Sequence, residues 1–222
     1  MPLHRGGWPL LLLLLAGCAA APRPYPADAG DRIAAFGRAE ACCTDPSQFE
    51  FTPLPTAGTV QATIGLDSPA FEFHSGLSHF AAFRLPEGDA PFRLRIKSLF
   101  DGEPPGGSLF YPVVAMLDES FIVTRVSGLE NLRLEPSLAR PGGESGLALV
   151  APFDPSISRE RYVVVFTPAV LLGSPPRERS DGDVVTMPSL EWLQRNARRV
   201  LEPSPYGRLE ILVAPAGPPG SG

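Results

Sequence analysis

The chain has 222 residues with 19 basic and 24 acidic side chains, and its net charge of −5 argues against nucleic acid as a partner, which would need a basic face. Proline (27) and glycine (22) are abundant, but they fall between alternating apolar runs, as in a β-rich fold and unlike a disordered chain. Eighteen of the 19 basic residues are arginine and Lys97 is the one lysine, a bias that carries no functional reading.

Met1 to Gly7 is a weakly basic start with His4 and Arg5, and an unbroken leucine run follows from Leu10 to Leu15. That run is far short of the roughly 20 apolar residues of a membrane span and suits a signal peptide. It ends in Leu15-Ala16-Gly17-Cys18, which resembles the lipobox of bacterial lipoproteins. The resemblance implies cleavage after residue 17 and lipidation of Cys18. Because each buried methylene contributes about 0.8 kcal/mol, several acyl chains would hold the protein on a membrane without a helix. Ala19 in place of an aspartate favours the outer membrane under lipoprotein sorting. Residues 18–31, rich in Ala and Pro, read as a tether, 32–215 as a single domain and 216–222 as a tail.

The Ala-rich stretch Ile33 to Cys42 predicts a short helix, broken by Thr44-Asp45-Pro46. Strands are predicted at 49–54, 61–66, 70–76, 78–86 and 92–100. In the last, Phe92, Leu94, Ile96 and Ser98 share one face, and Arg93, Arg95 and Lys97 share the other, read as a solvated face. The apolar stretch 108–118 is expected to be central and to form a hairpin with 121–128. Further strands follow at 131–136, 146–153, 161–169 and 207–215. Segment 173–186 reads as a surface excursion, and Ser189 to Leu201 carries a helical apolar stripe. About ten short strands with no βαβ rhythm imply a mainly β fold, a two-layer antiparallel β-sandwich of jelly-roll type with one short N-terminal and one late helix.

The blocks "SHFAAFRLP", "LFYPVVAMLDESF", "RYVVVFT" and "YGRLEILV", after a Cys-Cys pair and an aromatic element, resemble the maltose operon periplasmic protein family (MalM) over roughly residues 41 to 213. Segment 170–200 departs from the family pattern. The resemblance implies a periplasmic setting and an association with carbohydrate transport. It brings no enzymatic activity, cofactor or binding residue with it.

Catalytic and metal signatures are absent from the sequence. His74 and His79 flank a turn with no further ligands at zinc spacing, and read as surface histidines. Asp181-Gly182-Asp183 lacks the remaining carboxylates of a calcium loop. No Gly-x-Ser-x-Gly elbow occurs, and the adjacent Asp118 and Glu119 would point apart on a strand. Aromatic rings that could stack on a sugar are Trp192, Tyr111, Tyr206 and Tyr162, although Tyr111 and Tyr162 also fit a core. With Cys18 consumed by lipid, Cys42 and Cys43 form an isolated pair in an oxidising compartment. They are either a vicinal disulfide locking the turn before Asp45-Pro46 or two thiols with at least one buried. The expectation is a non-enzymatic, lipid-anchored periplasmic protein assisting oligosaccharide uptake, through weak glucan binding or contact with envelope transport proteins. The alternatives are an interaction lipoprotein without a small-molecule ligand and, remotely, a carbohydrate-active enzyme.

Overall fold

The computed structural model describes residues 24–88, 90–102, 107–136, 144–173 and 201–216, and its first element is the helix α1 (Ala29–Phe36). Asp28 caps it by accepting from the Asp31 N–H at 3.1 Å, satisfying one of the free donors of the first turn. The helix therefore starts four residues before the expected Ile33. The residues leading into it are not free tether: Tyr25 is buried and stacks on Tyr206, with ring centroids 5.7 Å apart. The assignment of 18–31 to a tether is corrected at its C-terminal end, because residues from Pro24 onward pack on the domain. The predicted leader, Cys18 and most of the late helix lie outside the described residues.

Thirteen strands follow among the described residues. One sheet runs in the order β1 (Thr52–Pro53), β4 (Gly76–Arg84), β11 (Glu160–Phe166), β7 (Val113–Asp118), β8 (Val123–Ser127), with β3 (Ala70–Phe73) also paired to β4. The other runs β2 (Gly58–Ile64), β13 (Gly207–Pro215), β5 (Phe92–Leu99), β10 (Gly146–Phe153), β9 (Arg133–Glu135). A two-stranded parallel pair joins β6 (Ser108–Leu109) to β12 (Glu202–Pro203). Pairing is otherwise antiparallel except for the short β1–β4 contact. The arrangement is the expected mainly β, sandwich-like one.

Strand pleating explains which residues make the core. On β5, Phe92, Leu94, Ile96 and Ser98 are buried, matching the period-two pattern. Their neighbours in register are Leu209, Ile211 and Val213 on β13 and Leu147, Leu149, Ala151 and Phe153 on β10, all buried. In the first sheet, Val163 and Val165 share a face with Met116, Val114 and Phe83. Arg125 is on that same face and donates to the Pro152 carbonyl of β10 at 3.0 Å, so this is the face that fronts the second sheet. Each such apolar side chain contributes roughly 1.5–3 kcal/mol when fully buried.

The opposite face of the first sheet, carrying Val164, Phe166, Ala115 and Leu117, is covered too. Phe73 stacks on Phe166 at 4.0 Å, Phe49 lies 4.3 Å from Phe80, and Phe71 meets Phe49 edge-on at 5.0 Å. This second apolar layer explains why β7 and β11 read as continuous hydrophobic runs without alternation. The outer face of the second sheet departs from expectation. Lys97 is only 5% exposed, and Arg95 is largely covered while donating to Glu135 on β9 and Glu210 on β13. The Arg-Arg-Lys row is thus an ion-pair network with only Arg93 exposed, because Glu210 on the adjacent β13 and Glu135 on β9, across β10, meet it.

Candidate functional site

Loops gather at the end of the sandwich where β4, β7 and β10 finish, and they enclose a cleft of about 420 Å³. Arg84, Leu85, Pro86, Glu87 and Gly88 come from the end of β4 and its following loop, Glu119 from the β7–β8 turn, and Phe153 and Pro155 from the β10–β11 connection. Glu160, Arg161 and Tyr162 at the start of β11 complete it. A second depression of about 420 Å³, lined by Phe92, Asp154, Ser158 and Arg125 among others, shares Phe153 and Glu160 with the first.

Local backbone geometry aims these side chains. The β7–β11 ladder shifts register between Glu160 and Tyr162, a bulge that turns consecutive residues out of strict alternation. Leu85 donates its N–H to the Arg161 carbonyl at 2.9 Å, tying the β4 exit to the bulge. Glu160 is buried and held by the Arg125 guanidinium through two hydrogen bonds of 3.0 Å each. That pairing uses both carboxylate oxygens, so Glu160 is committed to holding β8 against β11. Arg84, Glu87, Glu119 and Arg161 are exposed on the rim. On the β7–β8 turn, Asp118 Oδ1 accepts from Ser120 N at 2.8 Å and Ile122 N at 3.0 Å, while Phe121 takes a left-handed φ of 62°. The Phe121 ring packs 4.9 Å from Tyr162 and 5.8 Å from Phe51, and Phe51 lies 4.3 Å from Tyr162. Tyr162 lines the cleft, and Phe51 and Phe121 pack against its ring from beside it. Such a cleft can offer guanidinium donors and carboxylate acceptors to a polyhydroxylated ligand.

Of the residues singled out by sequence, several fall elsewhere. Tyr111 is 1% exposed; its hydroxyl donates to the Leu201 carbonyl at 2.8 Å, and burial pushes its phenol up to about 12. Tyr206 is equally buried, between Tyr25 and His79 at 5.7 and 5.3 Å. Neither ring presents a face to a sugar, which corrects both as glycan contacts; each fills a gap between the sheet and the segments that pack on it. Of the proposed rings among the described residues only Tyr162 lines the cleft, and Trp192 and Asp181-Gly182-Asp183 lie outside those residues. His79 is buried against Tyr206 and Phe36, not a surface histidine as expected, whereas His74 is exposed. Among the described residues no group of three or more His, Cys, Asp or Glu is placed to hold a metal ion.

Cys42 and Cys43 are joined as a vicinal disulfide, with Cα atoms 3.7 Å apart. The Cys42 N–H donates to the Ala70 carbonyl at 2.8 Å, and the Asp45-Pro46 turn beyond is closed by Gln48 Oε1 accepting from Thr44 N and Asp45 N. The cysteines stand where the chain passes from α1 to the first sheet, away from the cleft.

Residues 75–174 match the family model described as maltose operon periplasmic protein precursor (MalM). That stretch is similar to the MalM family. It contains the blocks "SHFAAFRLP", "LFYPVVAMLDESF" and "RYVVVFT", and every residue lining the first cleft falls inside it. The Cys-Cys element and "YGRLEILV" lie outside the match, which covers a little under half of the chain. The MalM family is one of periplasmic proteins associated with the maltose operon. No curated protein and no solved structure matches the chain.

Proposed function

We propose that the protein is a non-catalytic accessory of maltose-type oligosaccharide uptake, held on the periplasmic face of the outer membrane by lipid on Cys18, and that it binds glucan weakly in the loop-end cleft. The observation carrying this reading is that all the cleft residues fall within the stretch that matches the MalM model, so the stretch that suggests a sugar operon also builds a polar concavity. Exposed Arg84, Glu87, Glu119 and Arg161 supply the donors and acceptors that sugar hydroxyls need. The covered faces of the Phe51–Phe121–Tyr162 triangle leave little ring surface for stacking, which fits a millimolar dissociation constant, about −4 kcal/mol.

Calorimetry of the mature chain with maltodextrins tests this. Saturable heat that Arg161→Ala and Glu87→Gln each reduce by about tenfold in affinity supports it, since a hydrogen bond to a charged group contributes roughly 1.5–3 kcal/mol. No heat and no change in Trp192 fluorescence at millimolar sugar would sink direct binding. The rival reading, an interaction lipoprotein without a small ligand, would then stand on edge strand β8, beside which Ile122 is 64% exposed and Val123 46%.

A further inference from the structure

On the outer side of the first sheet lies a further cavity, of about 230 Å³, distinct from the loop-end cleft. Its walls are Phe49, Phe71, Phe73, Leu117, Val164 and Phe166, and its floor includes the small side chain of Ala115. In sheet order it crosses β11, β7 and β8, three neighbouring strands, or roughly 10 Å between the outer two. At the β8 side it reaches the partly exposed Val123 and Val126, so the trough opens to the surface there. At the other side stand Glu72, His74 and Ser75.

Ser75 is the informative residue. It is 7% exposed, it lines the cavity, and its Oγ has no hydrogen-bond partner among the described residues. A buried hydroxyl left unsatisfied costs about 1–3 kcal/mol, so an unpartnered one in a native structure asks for a missing partner. Water is a poor answer for the trough as a whole, because beyond Glu72 and His74 its wall is aliphatic and aromatic, and apolar cavities accept apolar guests. A guest must therefore bring its own polar atom, attached to an apolar body long enough to lie across three strands. The Glu72 carboxylate on the same wall disfavours a negatively charged head.

We propose that this cavity binds a single-chain amphiphile with a neutral polar head, its chain lying between Phe49, Phe73, Phe166 and Leu117 and its head hydrogen-bonded to Ser75. The ligand class is a monoacylglycerol or a similar neutral acyl ester. The turn that carries Phe49 into the cavity wall follows directly on the Cys42–Cys43 disulfide, so the wall is fixed before ligand arrives. Preorganisation of this kind lowers the ordering cost of binding. The site does not overlap the residues proposed for sugar, and its test can fail without touching that reading.

The probe is a neutral monoacylglycerol with a ten-carbon chain, kept below its aggregation concentration, displacing a neutral solvatochromic dye from the full chain. Displacement by the monoacylglycerol, with the ten-carbon carboxylate at least tenfold weaker at pH 7, supports the proposal. Equal potency of the two, or no displacement by either, overturns it. Ala115→Phe fills the floor and is expected to abolish dye binding. If that variant does not fold, Ser75→Ala decides. It is expected to weaken the monoacylglycerol about three- to tenfold while leaving the melting temperature unchanged or raised, as loss of an unsatisfied hydroxyl would. Unchanged affinity in Ser75→Ala, or a lower melting temperature in the absence of ligand, overturns the role of that hydroxyl and with it the head-group assignment.

Discussion

Phe121 is the one non-glycine residue with positive φ among the described residues, at 62°. The left-handed conformation costs an L-residue roughly 1–2 kcal/mol, and here the ring contacts with Phe51 and Tyr162 offset it. The two effects separate by substitution. Phe121→Ala loses the ring and keeps the strained backbone, whereas Phe121→Gly loses the ring and relaxes it. Both are expected to be less stable than the parent in urea, with the glycine variant about 1 kcal/mol more stable than the alanine one. The reverse order would mean that the turn is not strained. His79 gives a second test. Its ring sits among Phe36, Tyr206 and Pro69, with Nδ1 donating to the Ser68 carbonyl at 2.7 Å. Burial holds its pKa below the ordinary 6.5. The unfolded chain therefore takes up a proton near pH 6.5 that the native state refuses until lower pH, so the stability from a neutral His79 is complete above that value and declines as pH falls below it. Thermal melts at pH 7.5 and pH 5.5 should show a larger drop for the parent than for His79→Gln; equal drops would remove His79 as a contributor. Neither residue was legible in advance. A turn histidine and a hairpin phenylalanine look solvent-facing in sequence, and only the segments that fold back over them decide otherwise.

At the scale of elements, legibility followed periodicity. The alternation of 92–100 placed β5 and its core face correctly, because one side of that strand fronts the other sheet and selects for apolar residues. The run 108–118 was expected as one strand, but Pro112 lacks the N–H a ladder needs, and the chain divides into β6 and β7 around it. The start of α1 was missed although Asp28 is a good cap, because the Pro-rich residues before it pointed to a tether. The burial of Lys97 could not be read from its own strand: the space comes from Gly146 on β10, in register with Leu99. A Cβ at Gly146 would lie 3.1 Å from Lys97 Cγ and clash with the Ser98 carbonyl oxygen, which as backbone cannot move aside. Gly146→Ala is expected to cost about 1–3 kcal/mol in chemical denaturation. Gly37→Ala, whose nearest neighbour is 3.5 Å away, should change stability by about 0.5 kcal/mol or less. Similar effects at both positions would show that the close approach of β5 to Gly146 does not exclude a side chain there.

Across the whole molecule, the first described segment closes against parts of the chain that come much later. Arg32 is buried, pairs with Asp101, and donates to the hydroxyls of Ser108 and Ser204 as well as to the Pro26 and Ala27 carbonyls. Tyr25 stacks on Tyr206, and its ring lies 5.0 Å from the Arg32 guanidinium. Tyr25, Phe36, Leu172 and Tyr206 make a small second core of their own. One guanidinium thus joins α1, the β6–β12 pair and the approach to β13. Removing it breaks a mostly buried ion pair with Asp101, a change that costs roughly 3–5 kcal/mol. The boundary of the folded unit follows from this. A chain beginning at Pro24 should melt like the mature protein, since it keeps the Tyr25 stack and the whole Arg32 network. A chain beginning at Ala39 should lose several kcal/mol and expose Tyr206. Arg32→Met in the full chain separates the charge from the packing: it keeps much of the stem and removes the ion pair to Asp101, and should fall between the two in a urea titration. If the chain beginning at Ala39 melted like the one beginning at Pro24, residues 24–36 would be a tether after all.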